Sequence, residues 1–341
     1  MIPPNLPERY ETTFKEVKDL VFETFELWEQ QRVGFRWKNY LANHSLRVTS
    51  LSVEQGKREG GNWVELSFAG ILHDITKPYD GDYITDANGE RIVGKDGYWK
   101  NEVLRPAQHN LVTRLYDKHN LYGKVHHLSG AFIARKLLNR YDLTEAFIDN
   151  VSGMIRAHVQ PLQHSSNELD QYNKVENQIL ADADLLDSNF GYVAFFRNLN
   201  IHAYRAQKGK AFDIEEYLEN LGQWNESKQQ LVRRLFLASS RKIAEKRVER
   251  SYRLYEQLKE DMNWFELNKQ YGLLGMIQYF VHRVEDPNFT DEITFLRNHW
   301  IPTRQKWISK GPTCDPERAR RSLARVMRFV KTIEAEAAGK A

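Results

Sequence analysis

Apolar residues recur at three- and four-residue spacing through long stretches of this chain that lack both Gly and Pro. A chain patterned this way can bury its apolar stripes only by packing helix against helix, so an all-α fold is the expectation. Helices are predicted over 8–31, 38–57, 62–75, 126–140, 144–158, 174–188, 190–207, 214–260, 264–284 and 316–337. Two stretches break the pattern. Residues 78–106 hold Pro78, Gly81, Gly89, Gly94, Gly97 and Pro106, and the alternation around Asn88-Gly89 signals a hairpin, so a small β-hairpin flap is expected there. Residues 286–315 hold Pro287, Pro302 and Pro312 among tryptophans and read as an irregular connection to the last helix. With 341 residues there is room for two domains, and we divide the chain into 1–207, which includes the flap, and a helical C-terminal extension, 208–341. No internal repeat is visible.

Charge excludes some partners. The 49 Lys+Arg against 46 Asp+Glu leave a formal +3, which argues against both an acidic solvating tail and a globally basic nucleic-acid coat. No uncharged run approaches the roughly 18 residues a membrane span needs, so no membrane partner is expected. The first thirty residues carry acids throughout and no apolar h-region, and a cytoplasmic protein is the expectation. The single cysteine, Cys314, rules out an intramolecular disulfide framework and any CxxC knuckle. Any metal must therefore be held by His and carboxylate.

Such residues are present at suggestive places: His44, His73-Asp74, His127, His158 and Asp184 each lie at a predicted helix end or on its apolar stripe. With eleven His, about 0.6 His-Asp dipeptides are expected by chance, so the surroundings must decide. Leu66, Ala69, Gly70 and His73 form an inward stripe at helical spacing, and Asp74 follows at the terminus. His127 heads the stripe Gly130, Ala131, Ala134 and Leu138, while His158 closes the stripe Phe147, Val151, Met154 and Ile155. Asp184 sits between Asp182 and Asp187 among apolar residues, and buried carboxylates need partners, of which a cation is the simplest. One helix offers only one or two side chains at a given level, so ligands converging from several helices are what a metal site in a bundle core requires.

In that order the residues resemble the HD-domain superfamily of metal-dependent phosphohydrolases, over about residues 40–190. His44-Ser45-Leu46-Arg47-Val48 is similar to H-x-x-R-V, His73-Asp74-Ile75-Thr76-Lys77 to H-D-I-G-K with Thr76 for Gly, and Asp182-Ala183-Asp184-Leu185-Leu186-Asp187 to D-A-D-x-L-D. The resemblance implies an HD-domain helical core in which His44, His73, Asp74 and Asp184 hold one metal, and His127 and His158 extend the site to a second. An N/O donor set rich in imidazole suits Mn or Fe first, with Co, Ni, Zn or Mg as further options. Asp74 is the candidate bridging ligand. Lys77 and Arg47 each lie three residues after a ligand and are candidates to neutralise phosphate oxygens, so Asp74, Lys77 and Arg47 form the expected catalytic set. His126, about 100° round the helix from His127, reads as a supporting or surface residue.

The flap aromatics Tyr79, Tyr83, Tyr98 and Trp99 suit stacking on a base or sugar, and equally suit holding the hairpin down. Segment 231–260 carries nine Lys/Arg against four Asp/Glu, and Arg318, Arg321, Arg325 and Arg328 share one face of the last helix. A solvated basic face is the plainer reading; nucleic-acid contact has no motif behind it. The sequence thus reads as a hydrolase that uses a metal-activated water to cleave a phosphomonoester or phosphodiester of a nucleotide or other small phosphorylated metabolite. The alternatives are an HD-fold diiron oxygenase and a regulatory nucleic-acid- or protein-binding module with a vestigial metal site.

Overall fold

The computed structural model describes residues 6–29, 31–32, 35–94, 97–160, 166–207, 212–282, 287–311 and 315–340; Pro312 and Cys314 lie outside them. The chain forms two compact units, Met1–Gln30 with Arg36–Leu185, and Gln31–Phe35 with Leu186–Ala341. The division falls within one helix, earlier than the boundary at 207 read from sequence.

In the first unit the chain begins with α1 (Glu8–Phe25); two short strands, β1 (Gln31–Arg32) and β2 (Phe35–Arg36), come next in sequence and, apart from Arg36, fall in the second unit's segment Gln31–Phe35. There follow α2 (Trp37–Glu59), α3 (Trp63–Leu72), the flap strands β3 (Asp80–Tyr83) and β4 (Asn101–Val103), α4 (Leu111–Lys118), α5 (His126–Leu138), α6 (Glu145–Ala157) and the larger part of α7 (Val175–Asn189). Side-chain caps set several of these boundaries. Asn62 accepts from the N–H groups of Val64 and Glu65 to start α3, Thr144 starts α6, and Gly60 at φ 74° ends α2. An aromatic cluster closes the core: Phe14 meets Phe68 edge-on at 5.3 Å, Phe68 meets Phe147 at 5.3 Å, and Tyr10 stacks on Phe147 at 5.4 Å. Each such pair contributes about 1 kcal/mol beyond area burial. α2 and α3 pack backbone to backbone at Gly70 of α3, where a Cβ would stand 2.8 Å from Thr49 Cα of α2.

The expected flap is present. β3 and β4 are antiparallel, and between them Ile92 N–H donates to Ile84 O and Lys100 N–H to Ile92 O, making a small meander. Its Asn88-Gly89 turn is fastened by Asp86 Oδ1, which accepts from the N–H of Asn88 and of Glu90, with Gly89 at φ 81°.

The second unit is helical as well: α8 (Gly191–Gln207), α9 (Ile214–Leu231), α10 (Ala238–Met262), α11 (Phe265–Tyr271), α12 (Leu273–Val281), α13 (Phe289–Phe295), α14 (Ile301–Lys310) and α15 (Pro316–Ala337). The helix expected over 214–260 is broken by a 3-10 turn at Val232–Arg234 and extended Leu235. The stretch expected to be irregular, 286–315, contains α13 and α14. Pro316 lies in the first turn of α15, where a missing N–H costs nothing, so it starts that helix; Pro302 follows a π-helical turn at Leu296–Trp300 through which the helix runs on from α13 into α14. Buried Glu336 of α15 accepts from the N–H groups of Tyr192 (2.6 Å) and Val193 (3.3 Å) at the start of α8 and pairs with Arg250. Gly191 at φ 84° leaves that carboxylate its room. Three of the basic residues on α15 are engaged within the unit: Arg318 with Asp315, Arg321 with Glu317, and Arg325 with Glu260 and Asp261.

Candidate metal centre

The helix ends determine where the imidazoles point. His73 and His158 are the residues that end α3 and α6, and each turns Nδ1 back onto a carbonyl of the last turn, Gly70 O and Ile155 O respectively, both at 2.7 Å. Those carbonyls have no intrahelical donor, so they take the imidazole N–H and fix the tautomer. His126 begins α5, and its Nδ1 lies 2.6 Å from Asp80 Oδ2. In all three rings Nδ1 is committed to an acceptor, which leaves Nε2 as the nitrogen that turns toward the cluster.

All three converge on Asp74. Its Oδ1 is 3.5 Å from His126 Nε2 and 3.6 Å from His158 Nε2, while its Oδ2 is 3.6 Å from His73 Nε2 and 3.7 Å from His44 Nε2. Asp184 closes the second side, with Oδ1 3.1 Å from His44 Nε2 and 4.0 Å from His73 Nε2. Two ligand groupings result, His44, His73 and Asp184 on one side and His73, Asp74 and His158 on the other.

The electrostatics keep this donor set in the form a cation binds. Burial disfavours charge on His73 and outweighs neighbouring Asp74, taking its pKa down to about 4; burial likewise lowers that of His126, helped by the Lys77 ammonium. Burial alone would raise the carboxyl pKa of Asp74, but His73, His158 and His126 around it hold it well below the usual range. Asp184 shows the same balance and falls to about 2, chiefly through its hydrogen bond with His44. Neutral imidazoles and ionised carboxylates are the deprotonated ligands a divalent ion needs. His158 Nε2 is buried without a hydrogen-bond partner, and His44 and His73 face one another Nε2 to Nε2 at 3.3 Å. These features fit a cation.

The placement differs from expectation at one pair. His127 was the expected ligand, yet its ring is buried against Tyr98 at 4.4 Å between centroids and neither of its nitrogens has a hydrogen-bond partner; His126 joins the cluster instead. The face of α5 that meets α3 makes the choice. Gly130 packs toward His73 O and Thr76, so it marks the face of α5 turned to the end of α3, and the residue one turn earlier on that face is His126. Thr76, read as a minor departure from Gly, donates to His126 O at 2.9 Å and meets Ser129 Oγ at 2.9 Å, tying the start of α5 to the end of α3.

Lys77 Nζ lies 3.2 and 3.3 Å from the His126 ring nitrogens and 3.9 Å from Asp80 Oδ2. Burial works against its charge, but Asp74 and Asp80 prevail and raise its pKa. Arg47 is buried on α2, and Asp182 is buried outside both groupings. Of the flap aromatics, Tyr79 is a core residue stacked on Tyr116 at 3.6 Å, while Tyr83 and Trp99 flank Arg91.

A model of the HD-domain family matches residues 41–189. No curated protein matches. Two solved structures are similar. One is a predicted HD superfamily hydrolase from an uncultured Thermotogales bacterium, with 20% identity over 73% of this chain and 92% of the other at a TM-score of 0.41. The second is Bacillus subtilis YpgQ, solved in complex with ADP, with 17% identity over 73% of this chain and 95% of the other at a TM-score of 0.40. The stretch that matches the HD-domain model, residues 41–189, contains every member of the imidazole and carboxylate cluster.

Proposed function

We propose that this protein is a metal-dependent phosphohydrolase acting on a phosphoester of a nucleotide or another small phosphorylated metabolite. One observation supports the reading most: the two oxygens of Asp74 face two different imidazole pairs, His126 with His158 and His44 with His73. A carboxylate placed in this way suits a bridge between two cations, with Asp184 completing the His44 side and Asp80 orienting His126. A divalent ion held there supplies Lewis acidity toward a phosphoryl oxygen and lowers the pKa of a bound water. Lys77 adds a fixed positive charge beside the cluster, and its side chain retains 34% exposure, so its ammonium is within reach of a phosphate from solvent. Mn and Fe remain the favoured ions for the imidazole-rich set.

The test is metal analysis of the purified protein, followed by a phosphate-release screen over nucleotides and generic phosphodiesters with added Mn, Co, Ni or Mg. Release that requires metal and is lost in Asp74→Ala supports the proposal. Bound iron with oxygen uptake and no phosphate release would replace it with oxygenase chemistry.

A further inference from the structure

A cavity of about 510 Å³ lies between the flap and the α4–α5 connection. Tyr79, Asp80, Ile84, Trp99, Asn101 and Lys124 are among its lining residues, and none of the six clustered metal-site residues lines it. Its volume is in the range that encloses a nucleoside-sized ligand. Three properties of the wall bear on what it takes. Asn101 Oδ1 and the Tyr79 hydroxyl are buried with no hydrogen-bond partner, a state that is costly for polar groups unless something satisfies them. Ile84 and Val103, at 39% and 40% exposure, are large aliphatic side chains left open on the flap where they line this cavity. Trp99 provides an aromatic surface, and Lys100 and Lys124 bring two positive charges to the lining against Asp80 and Glu102.

We infer that this cavity is a second binding site, separate from the metal cluster, for a planar heteroaromatic molecule of nucleoside size that carries N–H donors. The donors match the unsatisfied Asn101 oxygen. The ring plane matches the half-buried indole of Trp99, and the ligand covers Ile84 and Val103. The site is not remote in effect, because Asp80 both lines the cavity and holds His126 at 2.6 Å. The inference does not depend on the hydrolase reading, since binding here needs no reaction at the cluster.

The experiment is a titration of the full chain with adenosine, guanosine and cytidine, followed by calorimetry and tryptophan fluorescence after metal removal with a chelator. At least one nucleoside should bind with a Kd below about 1 mM and quench fluorescence. Asn101→Leu should weaken binding at least about tenfold. Trp99→Phe should remove most of the quench while calorimetric binding persists, which keeps the test decisive if Asn101→Leu fails to fold. Asp74→Ala, which disables the cluster, should leave nucleoside binding unchanged. No binding of any of the three at millimolar concentration, or loss of binding in Asp74→Ala with a native helical spectrum, would overturn the inference. Absence of phosphatase activity would bear only on the proposed function.

Discussion

Asp80 Oδ2 lies 2.6 Å from His126 Nδ1, so a carboxylate from the first residue of β3 determines which way a cluster imidazole faces. Partners of this kind typically change metal affinity by about 10- to 100-fold. Asp80→Ala should therefore weaken one equivalent of metal by about that factor and leave the His44 side loaded, as read by a chelator-competition titration. Two equivalents retained at wild-type affinity would show that His126 is not a ligand.

His126 and His127 make opposite predictions. His126→Ala should reduce metal content from two ions toward one. His127→Ala should keep both ions and cost about 1–3 kcal/mol of stability through the packing lost beside Tyr98. Metal analysis and denaturant unfolding of the two variants decide between them, and metal loss in His127→Ala would restore the assignment read from sequence.

Lys77 tests the substrate side. Removing an ammonium that is poised for a phosphate while sparing every ligand should lower kcat/KM by roughly 10- to 100-fold in Lys77→Ala with metal content unchanged. Unaltered kinetics would make Lys77 a partner of Asp80 and His126 only.

The buried imidazoles also predict how the metal-free protein responds to acid. His73 titrates near 4 in the folded chain against 6.5 unfolded, so between those values the unfolded state binds more protons and stability falls as pH drops. His73 alone accounts for about 3 kcal/mol across that window, and nothing above it. Asp184, depressed to about 2, adds a further loss only below its ordinary pKa of 3.8. Urea midpoints of chelator-treated protein at pH 7 and pH 5 check the sign, and a His73→Ala variant should flatten the dependence. A midpoint that rises on acidification would contradict burial of neutral histidine.

Much of this architecture was legible in the sequence, for identifiable reasons. The helices α2, α3, α5, α6 and α7 were readable because each carries apolar residues at helical spacing and ends at Gly, Asn or His. Helix α4 was not, since its eight residues give barely two turns of periodicity; its one local mark is Asn110, whose side chain makes a capping box with Thr113. In 286–315 Pro302 looked like a breaker because the sequence does not announce the π-helical turn at Leu296–Trp300 that carries the helix past it. His44, His73, Asp74, His158 and Asp184, which the structure brings together, were singled out by places at helix ends or on apolar stripes and by the resemblance, whereas choosing between adjacent His126 and His127 required knowing which face of α5 meets α3. Asp80 carried no sequence signal, because its role is a contact between residues 46 positions apart.

Gly70 ties these observations together at a single position. Its carbonyl receives His73 Nδ1, and its missing side chain lets the backbone of α2, which carries His44, approach within van der Waals reach of α3. Were His44 and His73 to hold one cation, the spacing of their backbones would be gauged by α2 resting on α3 at Gly70. An added methyl group at position 70 would push the two helices apart and change that spacing, although residue 70 would contribute no ligand atom.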